Sequence, residues 1–430
     1  MKDTLQARIE AITTQTLIVG IDAAKDVHCA RITDYRGLNL CKPVKVNNTT
    51  DGFESLLLRI EKLKNKYKCD KVIIGMEPSG HYWRAMGWHF MLNESNPVMV
   101  GVNPYHVKQA RELDDNSPTK SDPKDALIIA HLIREGRYFD MYLPEAEYAE
   151  MRILNGERQR LMKQVSRANN IIVAVMDEFF PEYGKIWGKV ACPTSREIMK
   201  QLAFPNEILA ADKCDLRLLI KRASGGTEGE KLMNELINAA KVSCGVREGM
   251  KSAKTKLVRL IEELEFYEKR VDDIETELET VMKTLELSEI LQSMNGIGTV
   301  ISAAFIGEVG DIIRFDSPKQ VRKLAGLNLV ENSSGQHKGK TKVSKRGRPY
   351  LRHMLFMAGE SCCLHNKEMR QYYDYLRKRK NNPLGYYQAI VAVGLKVMRI
   401  LFYMAKNREK YDPAKALGNV RLEQIASIAA

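Results

Sequence analysis

A run of apolar residues between Leu257 and Leu285 restricts the fold of this chain more than any other feature of its sequence. The spacing alternates between three and four residues without a break, and Glu and Lys lie at many of the positions between them. Such heptads predict a long helix with a coiled-coil seam, about 40 Å in length. The seam consists of Leu257, Leu260, Leu264, Tyr267, Val271, Ile274, Leu278, Val281 and Leu285.

A second helix is predicted over residues 151–175, where apolar residues recur at helical intervals with basic residues between them. The long helix could pair with this one inside the chain, or with its counterpart in another copy. Pro193 and the Ser-Gly-Gly sequence at 224–226 mark breaks in a region that is otherwise helical. Residues 143–285 are therefore predicted to form a helical coiled-coil region.

The residues before 143 follow a different pattern, in which short apolar runs are separated by turns and by helical stretches. Strands are predicted at 17–21, 27–33, 40–46, 71–76 and 97–102, and helices at 51–66 and after Pro78. Hairpin-like strands followed by strand and helix in alternation predict an α/β domain with a mixed sheet.

The chain of 430 residues is long enough for about three domains. Helical stretches at 350–362 and 386–403 predict a mainly α C-terminal region. We expect an N-terminal extension at 1–16, an α/β domain at 17–142, the coiled-coil region at 143–285, a C-terminal domain at 286–410 and a tail at 411–430.

Charge and cysteine usage indicate where the protein acts. The chain has 67 Lys and Arg against 54 Asp and Glu, and this net charge of +13 favours a polyanionic partner. Its most apolar stretch, 386–405, is interrupted by Lys396 and Arg399, so no membrane span is expected. The eight cysteines form no CxxC pair, which argues against a zinc site and indicates reduced thiols in the cytoplasm.

Four carboxylates lie at predicted element ends. Asp22 and Glu77 each end a strand, and Asp122 and Asp125 open a helix on which their spacing places both on one face. Each has an ordinary structural interpretation, as a turn residue, a loop acid, a helix N-cap or an N3 residue. Together they favour a site for Mg²⁺ or Mn²⁺, because such ions prefer oxygen ligands and, in pairs, support phosphodiester chemistry.

Two glycine-containing segments indicate contact with nucleic acid. Gly296 and Gly298 lie between two predicted helices, as in a helix-hairpin-helix whose backbone N–H groups bind phosphate, although an ordinary turn with glycine caps would look similar. Residues 334–352 form a glycine-containing basic loop without any acid. Its cations favour phosphate binding over a merely solvated face. They are Lys338, Lys340, Lys342, Lys345, Arg346, Arg348 and Arg352.

A serine beside this loop could act as a nucleophile. Ser334 precedes Gly335, and its hydroxyl could attack phosphorus while neighbouring cations hold the other phosphate oxygens. Ser-Gly pairs are common in loops, and no His–Asp pair lies nearby in the sequence. The spacing alone therefore gives only weak support to this role.

In their order along the chain, these motifs resemble those of the DEDD transposases of insertion-sequence family 110. The likeness extends from about residue 17 to residue 405. It is carried by Gly20-Ile21-Asp22, Glu77-Pro78-Ser79-Gly80, Lys120-Ser121-Asp122-Pro123-Lys124-Asp125-Ala126, Gly326-Leu327, Ser333-Ser334-Gly335, Val343-Ser344-Lys345-Arg346-Gly347 and Leu351-Arg352.

The resemblance implies a RuvC-like (RNase H-like) N-terminal domain whose four acids bind Mg²⁺, and a C-terminal transposase domain with a nucleophilic serine. Ser334 matches the family's Ser-Gly best, and Ser333 is the second choice. Members of this family recombine donor and target double-stranded DNA with the help of a structured guide RNA. We expect a homo-oligomer, a dimer or tetramer, in the cytoplasm at the nucleoid, whose acids and serine come from neighbouring protomers.

Two other functions fit parts of the sequence. A Holliday-junction resolvase or other nuclease would need only the four acids and water, and its activity would survive loss of the serine. A non-catalytic DNA- or RNA-binding protein would use the acids as helix caps and would be indifferent to Mg²⁺. We expect the RNA-guided recombinase.

Overall fold

The computed structural model describes residues 4–92, 97–115, 121–226, 229–331, 333–334, 337–339 and 341–429. The chain divides into two compact units, residues 1–143 and 144–430. The change of pattern near residue 143 thus coincides with a real boundary. The further division into a coiled-coil region and a C-terminal domain stays a prediction.

The N-terminal unit is built on a mixed sheet of six strands in the order β3-β2-β1-β4-β5-β6. The β1–β4 and β4–β5 pairs are parallel and the other pairs are antiparallel. This arrangement confirms the prediction of an α/β domain with a mixed sheet, and the RuvC-like assignment stays a prediction. The strands are β1 Thr16–Asp22, β2 Val27–Thr33, β3 Val44–Asn47, β4 Lys71–Met76, β5 Val98–Val102 and β6 Tyr138–Asp140.

Helices lie against this sheet. The apolar side chains of β1 are fully buried, as expected for a central strand covered on both faces. The helices of the unit are α1 Thr4–Glu10, α2 Thr50–Lys66, α3 Trp83–Met91, α4 Pro104–Asp115 and α5 Asp122–Arg134. The predicted strand at 40–46 is shorter than expected, and the sequence did not indicate α4 or β6.

Helix α5 approaches the sheet closely because two glycines lie beneath it. Gly20 of β1 and Gly75 of β4 are register partners. A Cβ atom at Gly20 would lie 2.1 Å from the carbonyl oxygen of Ala126, and one at Gly75 would lie 2.4 Å from the side chain of Ile133. Glycine is therefore required at these two positions, and the contact places the first turn of α5 over the end of β1.

The second unit is mainly helical. Its helices are α6 Ala146–Phe179, α7 Pro193–Gln201, α8 Pro205–Ala210, α9 Lys213–Ala223, α10 Glu230–Lys241, α11 Met250–Thr284, α12 Ser288–Gln292, α13 Thr299–Val309, α14 Pro318–Leu324, α15 Pro349–His365, α16 Lys367–Lys378, α17 Tyr386–Asn407, α18 Pro413–Leu417 and α19 Asn419–Ala429. Its short strands are β7 Leu329–Val330, β8 Ser333–Ser334, β9 His337–Lys338 and β10 Lys342–Val343. Pro193 and the glycines at 225–226 fall at helix ends, as predicted.

The two long helices, α6 and α11, pack against each other in antiparallel directions. The C-terminal half of α6 shares an apolar core with the N-terminal half of α11, and their opposite halves share a second core. Arg158 of α6 donates to Glu275 of α11 at 2.8 Å. Buried Ile261 and Met282 lie outside the predicted heptad positions, so the apolar face is wider than a two-residue seam. The long helix thus has a partner inside the chain, while a coiled coil between chains stays untested.

Helix α17 is the central core helix of the second unit. In the part of the chain that the structure describes, it alone is long and apolar enough to cross a membrane by length and composition. However, 56% of its most apolar window is buried inside the protein. Gly394 of α17 crosses Gly359 of α15, where a Cβ atom at Gly394 would lie 2.2 Å from the carbonyl oxygen of Leu355. The apolar face of α17 thus packs into the core of the second unit.

Candidate active site

Asp22 and Glu77 lie side by side at the C-terminal ends of the neighbouring strands β1 and β4. Asp22 is the last residue of β1, and Glu77 directly follows β4. The two strands are parallel, with Ile21 and Met76 as register partners, so the acids leave the sheet at matching positions. Neighbouring strands are about 4.8 Å apart, which brings both carboxylates within reach of one ligand. Both residues are partly exposed.

Asp122 and Asp125 lie in the first turn of α5. Ser121, in an extended conformation, is the N-cap residue, and Asp122 is the first residue of the helix. The interpretation of Asp122 as the cap, and of Asp125 as the N3 residue, is therefore wrong by one position. Asp122 is exposed, whereas Asp125 is 3% exposed. A carboxylate in the first turn is favoured by the helix dipole, but this effect does not require burial of Asp125.

Arg111 of α4 binds the buried carboxylate directly. Its Nε atom donates to Asp125 Oδ1 at 2.7 Å, and its Nη2 atom donates to Oδ2 at 2.8 Å. The hydrogen bonds to Asp125 raise the pKa of Arg111, and so do the negative charges of Asp125, Glu77 and Asp22, although burial acts in the opposite direction. Three of the four acids therefore act on one guanidinium group.

The pKa of Cys29 in β2 depends on Asp122, the fourth acid, and on Asp22. Cys29 is the register partner of Asp22 across the β1–β2 pair. Burial is the main reason that the pKa of Cys29 is raised, and the charges of Asp122 and Asp22 add to this effect. The charge of Asp22 thus acts on Cys29 and on Arg111. Asp22 and Glu77 end neighbouring strands, and the first turn of α5 with Asp122 and Asp125 lies close to the same end of β1.

Arg111 is the functional candidate that the sequence did not reveal. It lies on a helix that was not predicted, among other cations such as Lys108, and its partner belongs to the next helix. The pair forms between two separate elements, so no local spacing could have indicated it. An arginine pairing bidentately with a carboxylate is among the stronger polar interactions in proteins.

The donor set fits a hard divalent cation in charge and in chemistry. All four side chains offer oxygen only, which Mg²⁺ and Mn²⁺ prefer, and the positive group of Arg111 already binds one of them, Asp125. Within the described ranges, no three His, Cys, Asp or Glu side chains are grouped closely enough to hold a metal ion. The side chains would therefore have to draw closer together around an ion.

Ser334 lies in a narrow ribbon of the second unit. The inner part of this ribbon pairs β7 with β10, and the outer part pairs β8 with β9. Ser334 is the register partner of His337, and Ser333 is the partner of Lys338. Gly335 and the predicted phosphate-binding residue Lys340 lie outside the described residues. The first part of the predicted basic loop thus contains short paired strands, and Ser334 lies in one of them.

The base of the ribbon is fixed to the rest of the unit. The Ser344 hydroxyl donates to the carbonyl of Gly326 at 3.1 Å. Arg352 donates to the carbonyl of Ala325 at 3.0 Å, and Arg348 donates to the carbonyl of Glu308. These two arginines were predicted to bind nucleic acid, but their half-buried guanidinium groups hold the backbone in place.

Lys345 and Arg346 lie between these anchors and are exposed. Lys345 adopts a left-handed backbone conformation with a φ of 54°. Of the predicted phosphate-binding residues in this stretch, these two are therefore the best placed to contact a polyanion. Their position at the base of the ribbon would bring a bound phosphate close to the same element that carries Ser334.

The two glycines of the predicted helix-hairpin-helix have different environments. Gly296 has a φ of 92° and packs on α15, where a Cβ atom would lie 3.0 Å from the Cα atom of Cys362. Gly298 is the extended N-cap residue of α13, and a Cβ atom there would meet nothing within 4 Å. Packing therefore explains Gly296, while Gly298 leaves the start of α13 accessible. Phosphate binding at this turn stays a prediction.

The chain is similar to known transposases along most of its length. Residues 19–181 match the DEDD family model of IS110, described as a transposase, and residues 288–374 match a model described as the transposase IS116/IS110/IS902 family. The "Transposase for insertion sequence element IS1111A" of Coxiella burnetii is 28% identical, over 92% of this chain and 91% of that protein. The "Insertion element IS116 uncharacterized 44.8 kDa protein" of Streptomyces clavuligerus is 23% identical, over 92% of this chain and 96% of that protein.

One solved structure, described as "T. thermophilus RuvC in complex with Holliday junction substrate", matches 29% of this chain and 99% of its own at 15% identity. Its TM-score of 0.22 is too low to support an inference about this chain. The two family models, by contrast, together match more than half of the sequence, and they include all four acids and both serines. The chain belongs to the IS110 family of transposases and is a DNA transposase.

Proposed function

We propose that this transposase cuts and rejoins DNA through a covalent serine–phosphodiester intermediate. In this proposal Asp22, Glu77, Asp122 and Asp125 hold Mg²⁺ or Mn²⁺, and Ser334 is the nucleophile. Donor and target double-stranded DNA are brought together by a structured guide RNA on a homo-oligomeric protein. The observation that supports the metal assignment is that Asp22 and Glu77 end the neighbouring parallel strands β1 and β4, with the first turn of α5 close to the end of β1.

The chemistry balances without an added energy source. The Ser334 oxygen forms a bond to phosphorus as the bond from phosphorus to one deoxyribose oxygen breaks. The serine gives up its proton, and the departing sugar oxygen takes one. Because one phosphate ester replaces another, a sugar hydroxyl of a different strand can reverse the step and reseal the DNA. A bound divalent cation would neutralise phosphate charge and lower the pKa of an attacking hydroxyl.

Each unit contributes a different part of this chemistry. The N-terminal unit supplies the carboxylates on a rigid sheet edge, where α5 is held close by Gly20 and Gly75. The second unit supplies the serine on a ribbon with a fixed base. Rigid supports of this kind keep reactive groups in position, and this matters because small displacements reduce rates strongly.

The proposal is tested by trapping the intermediate. Purified protein is incubated with guide RNA, DNA of the element ends and Mg²⁺, and then denatured. We expect a denaturant-stable protein–DNA adduct that fails to form when EDTA removes the divalent cation. Cleaved DNA with free ends and no adduct would instead support the resolvase-like, hydrolytic alternative. DNA binding without any cleavage in Mg²⁺ would support the non-catalytic one.

Arg111 should compete with the metal ion for Asp125. We expect Arg111→Gln to bind Mn²⁺ about tenfold more tightly, because hydrogen bonds to a charged group contribute about 1.5–3 kcal/mol and the ion no longer has to displace them. Calorimetric titration of Mn²⁺ into the full-length protein measures the difference. Lys108→Gln removes one charge from the same helix and should leave the affinity nearly unchanged.

Two outcomes would contradict this competition. If Lys108→Gln and Arg111→Gln raised the affinity equally, overall charge would explain the effect and the ion pair would not. If Arg111→Gln weakened Mn²⁺ binding, Arg111 would be orienting Asp125 for the ion. Failure of the unmodified protein to bind Mn²⁺ would contradict the metal assignment itself.

A further inference from the structure

An exposed aromatic surface lies where α15, α16 and α17 meet, and these helices follow the ribbon that carries Ser334. We name this surface the tyrosine face, and it consists of Phe356, Tyr373, Tyr386 and Tyr387. Tyr387 is 72% exposed and Tyr386 is 43% exposed. The rings of Phe356 and Tyr387 are nearly parallel, with centroids 6.3 Å apart. Tyr386 contacts Tyr387 edge-on at 5.2 Å.

These rings are held in place by their neighbours. The Tyr386 hydroxyl donates to Glu360 Oε1 at 2.8 Å, and Tyr386 also meets Tyr373 edge-on at 6.3 Å. The guanidinium group of Arg370 lies 5.6 Å from the centre of the Tyr373 ring. Tyr387 is therefore presented to solvent from a supported aromatic cluster, so that little conformational freedom is left to lose when a ligand binds.

The surroundings of the tyrosine face are strongly basic. Residues 375–408 contain no Asp or Glu and eight Lys or Arg. Four of these form the run at 377–380, and this run is next to the rings because Arg377 donates to the carbonyl of Leu384 at 2.9 Å, two residues before Tyr386. The nearby acids are engaged, since Glu360 accepts from Tyr386 and Asp374 pairs with Arg370 at 3.2 Å.

Exposed aromatic rings beside a basic run suit one kind of ligand. Every nucleobase has a face that stacks on an aromatic ring, and lysine and arginine bind the phosphates that join the bases. Bases inside a duplex are covered on both faces by their neighbours, so only an unpaired base can stack on the protein. A second copy of this chain would bring like charges together at this basic surface, which is unfavourable.

We propose that the tyrosine face binds unpaired DNA, with a base stacked on Tyr387 and the adjoining phosphates on the basic run at 377–380. Cutting and exchanging DNA strands leaves nucleotides without a partner, and a transposase gains by holding them. The proposal rests on the family to which the chain belongs. It depends neither on the proposed metal ligands nor on Ser334.

The test measures binding of a fluorescent oligothymidylate of about twelve nucleotides to the full-length protein. We expect Tyr387→Ala to weaken binding about 10- to 100-fold, because stacking accounts for much of the affinity at such sites. Tyr387→Phe should bind like the unmodified protein, since it keeps the ring. Tyr403→Ala is the matched control, because Tyr403 is 54% exposed on the same helix several turns away.

A salt titration examines binding to the phosphates separately. The double variant Lys378→Gln, Lys380→Gln should show an affinity that depends less on salt. The slope of the logarithm of the binding constant against the logarithm of the salt concentration should be smaller in magnitude by about 0.7 for each phosphate that the protein no longer neutralises. All binding is measured in EDTA, without any divalent cation, so that failure of the catalytic proposal and failure of this one are distinguishable.

Three results would overturn the proposal. Tyr387→Ala could bind as tightly as Tyr403→Ala, which would exclude stacking. Oligouridylate could bind at least about tenfold more tightly than the DNA, which would assign the surface to RNA. Finally, Tyr387→Ala could change the oligomeric mass in sedimentation without changing the affinity for DNA, which would assign the surface to contact between copies of the chain.

Discussion

Asp22→Asn should reduce the rate of DNA strand cleavage by about a thousandfold or more while leaving the protein folded. Asn has the same size as Asp but lacks the negative charge that would attract a divalent cation. A metal ion contributes several kcal/mol of stabilisation to phosphodiester transition states, and each 1.36 kcal/mol corresponds to tenfold in rate. Asp22 ends a strand at a partly exposed edge of the sheet, so its carboxylate is not required for packing.

Asp125→Asn should be equally inactive but less stable. Asp125 is 3% exposed and is paired with Arg111, so removing its charge leaves a half-buried guanidinium without its partner. We expect a loss of about 1–3 kcal/mol in the free energy of unfolding, because an unpaired charged donor retains its desolvation cost. The difference between the two variants separates a loss of chemistry from a loss of structure.

Single-turnover cleavage and urea unfolding measure these two quantities. Asp26→Asn is the matched control, because Asp26 is an exposed acid in the turn after β1. It should retain the cleavage rate and the stability of the unmodified protein. Cleavage by Asp22→Asn within about tenfold of the unmodified rate would remove Asp22 from the metal site.

The sequence predicted the N-terminal unit well where side-chain burial controls the backbone. Strands β2 and β4 have the predicted bounds because their apolar runs are bordered by turns. Strand β6 has only three residues and pairs at the edge of the sheet, so it has no apolar run that could reveal it. The positions of the four acids could be predicted because Asp22 and Glu77 follow apolar strand runs and Asp122 and Asp125 lie in the first turn of a helix, while their role in metal binding stays a prediction.

Other features depend on contacts between distant residues, and the sequence does not show these. The pair between Arg111 and Asp125 links two helices, and the ribbon around Ser334 is built from strands of only two residues each. Neither is long enough to give a periodic pattern in the sequence. A run of cations likewise does not reveal which of them bind backbone carbonyls inside the fold, as Arg348 and Arg352 do, and binding of these two to nucleic acid stays a prediction.

The serine assignment has the sharpest expected result. Ser334→Ala should abolish the covalent protein–DNA adduct and reduce strand cleavage by about 10⁴-fold or more, as expected when a nucleophile is removed from a catalytic group that acts as a unit. Ser333→Ala is the matched control in the same two-residue strand, and it should form the adduct normally. Mass spectrometry of the trapped adduct identifies the modified residue. An adduct that is lost in Ser333→Ala but retained in Ser334→Ala would move the nucleophile to Ser333.

Mixing two inactive variants tests whether one site draws on two protomers. If the acids of one chain act with the serine of another, oligomers containing both Asp22→Asn and Ser334→Ala chains should regain part of the cleavage activity. In a mixed dimer, the four acids of the Ser334→Ala chain act with the serine of the Asp22→Asn chain, so this site is complete. The other site lacks both the Asp22 carboxylate and the serine hydroxyl. Activity should then approach about half of the unmodified level in a fully mixed dimer, because both preparations keep their fold. Inactive mixtures, in oligomers that are shown to exchange subunits, would place the acids and the serine of each working site on the same chain.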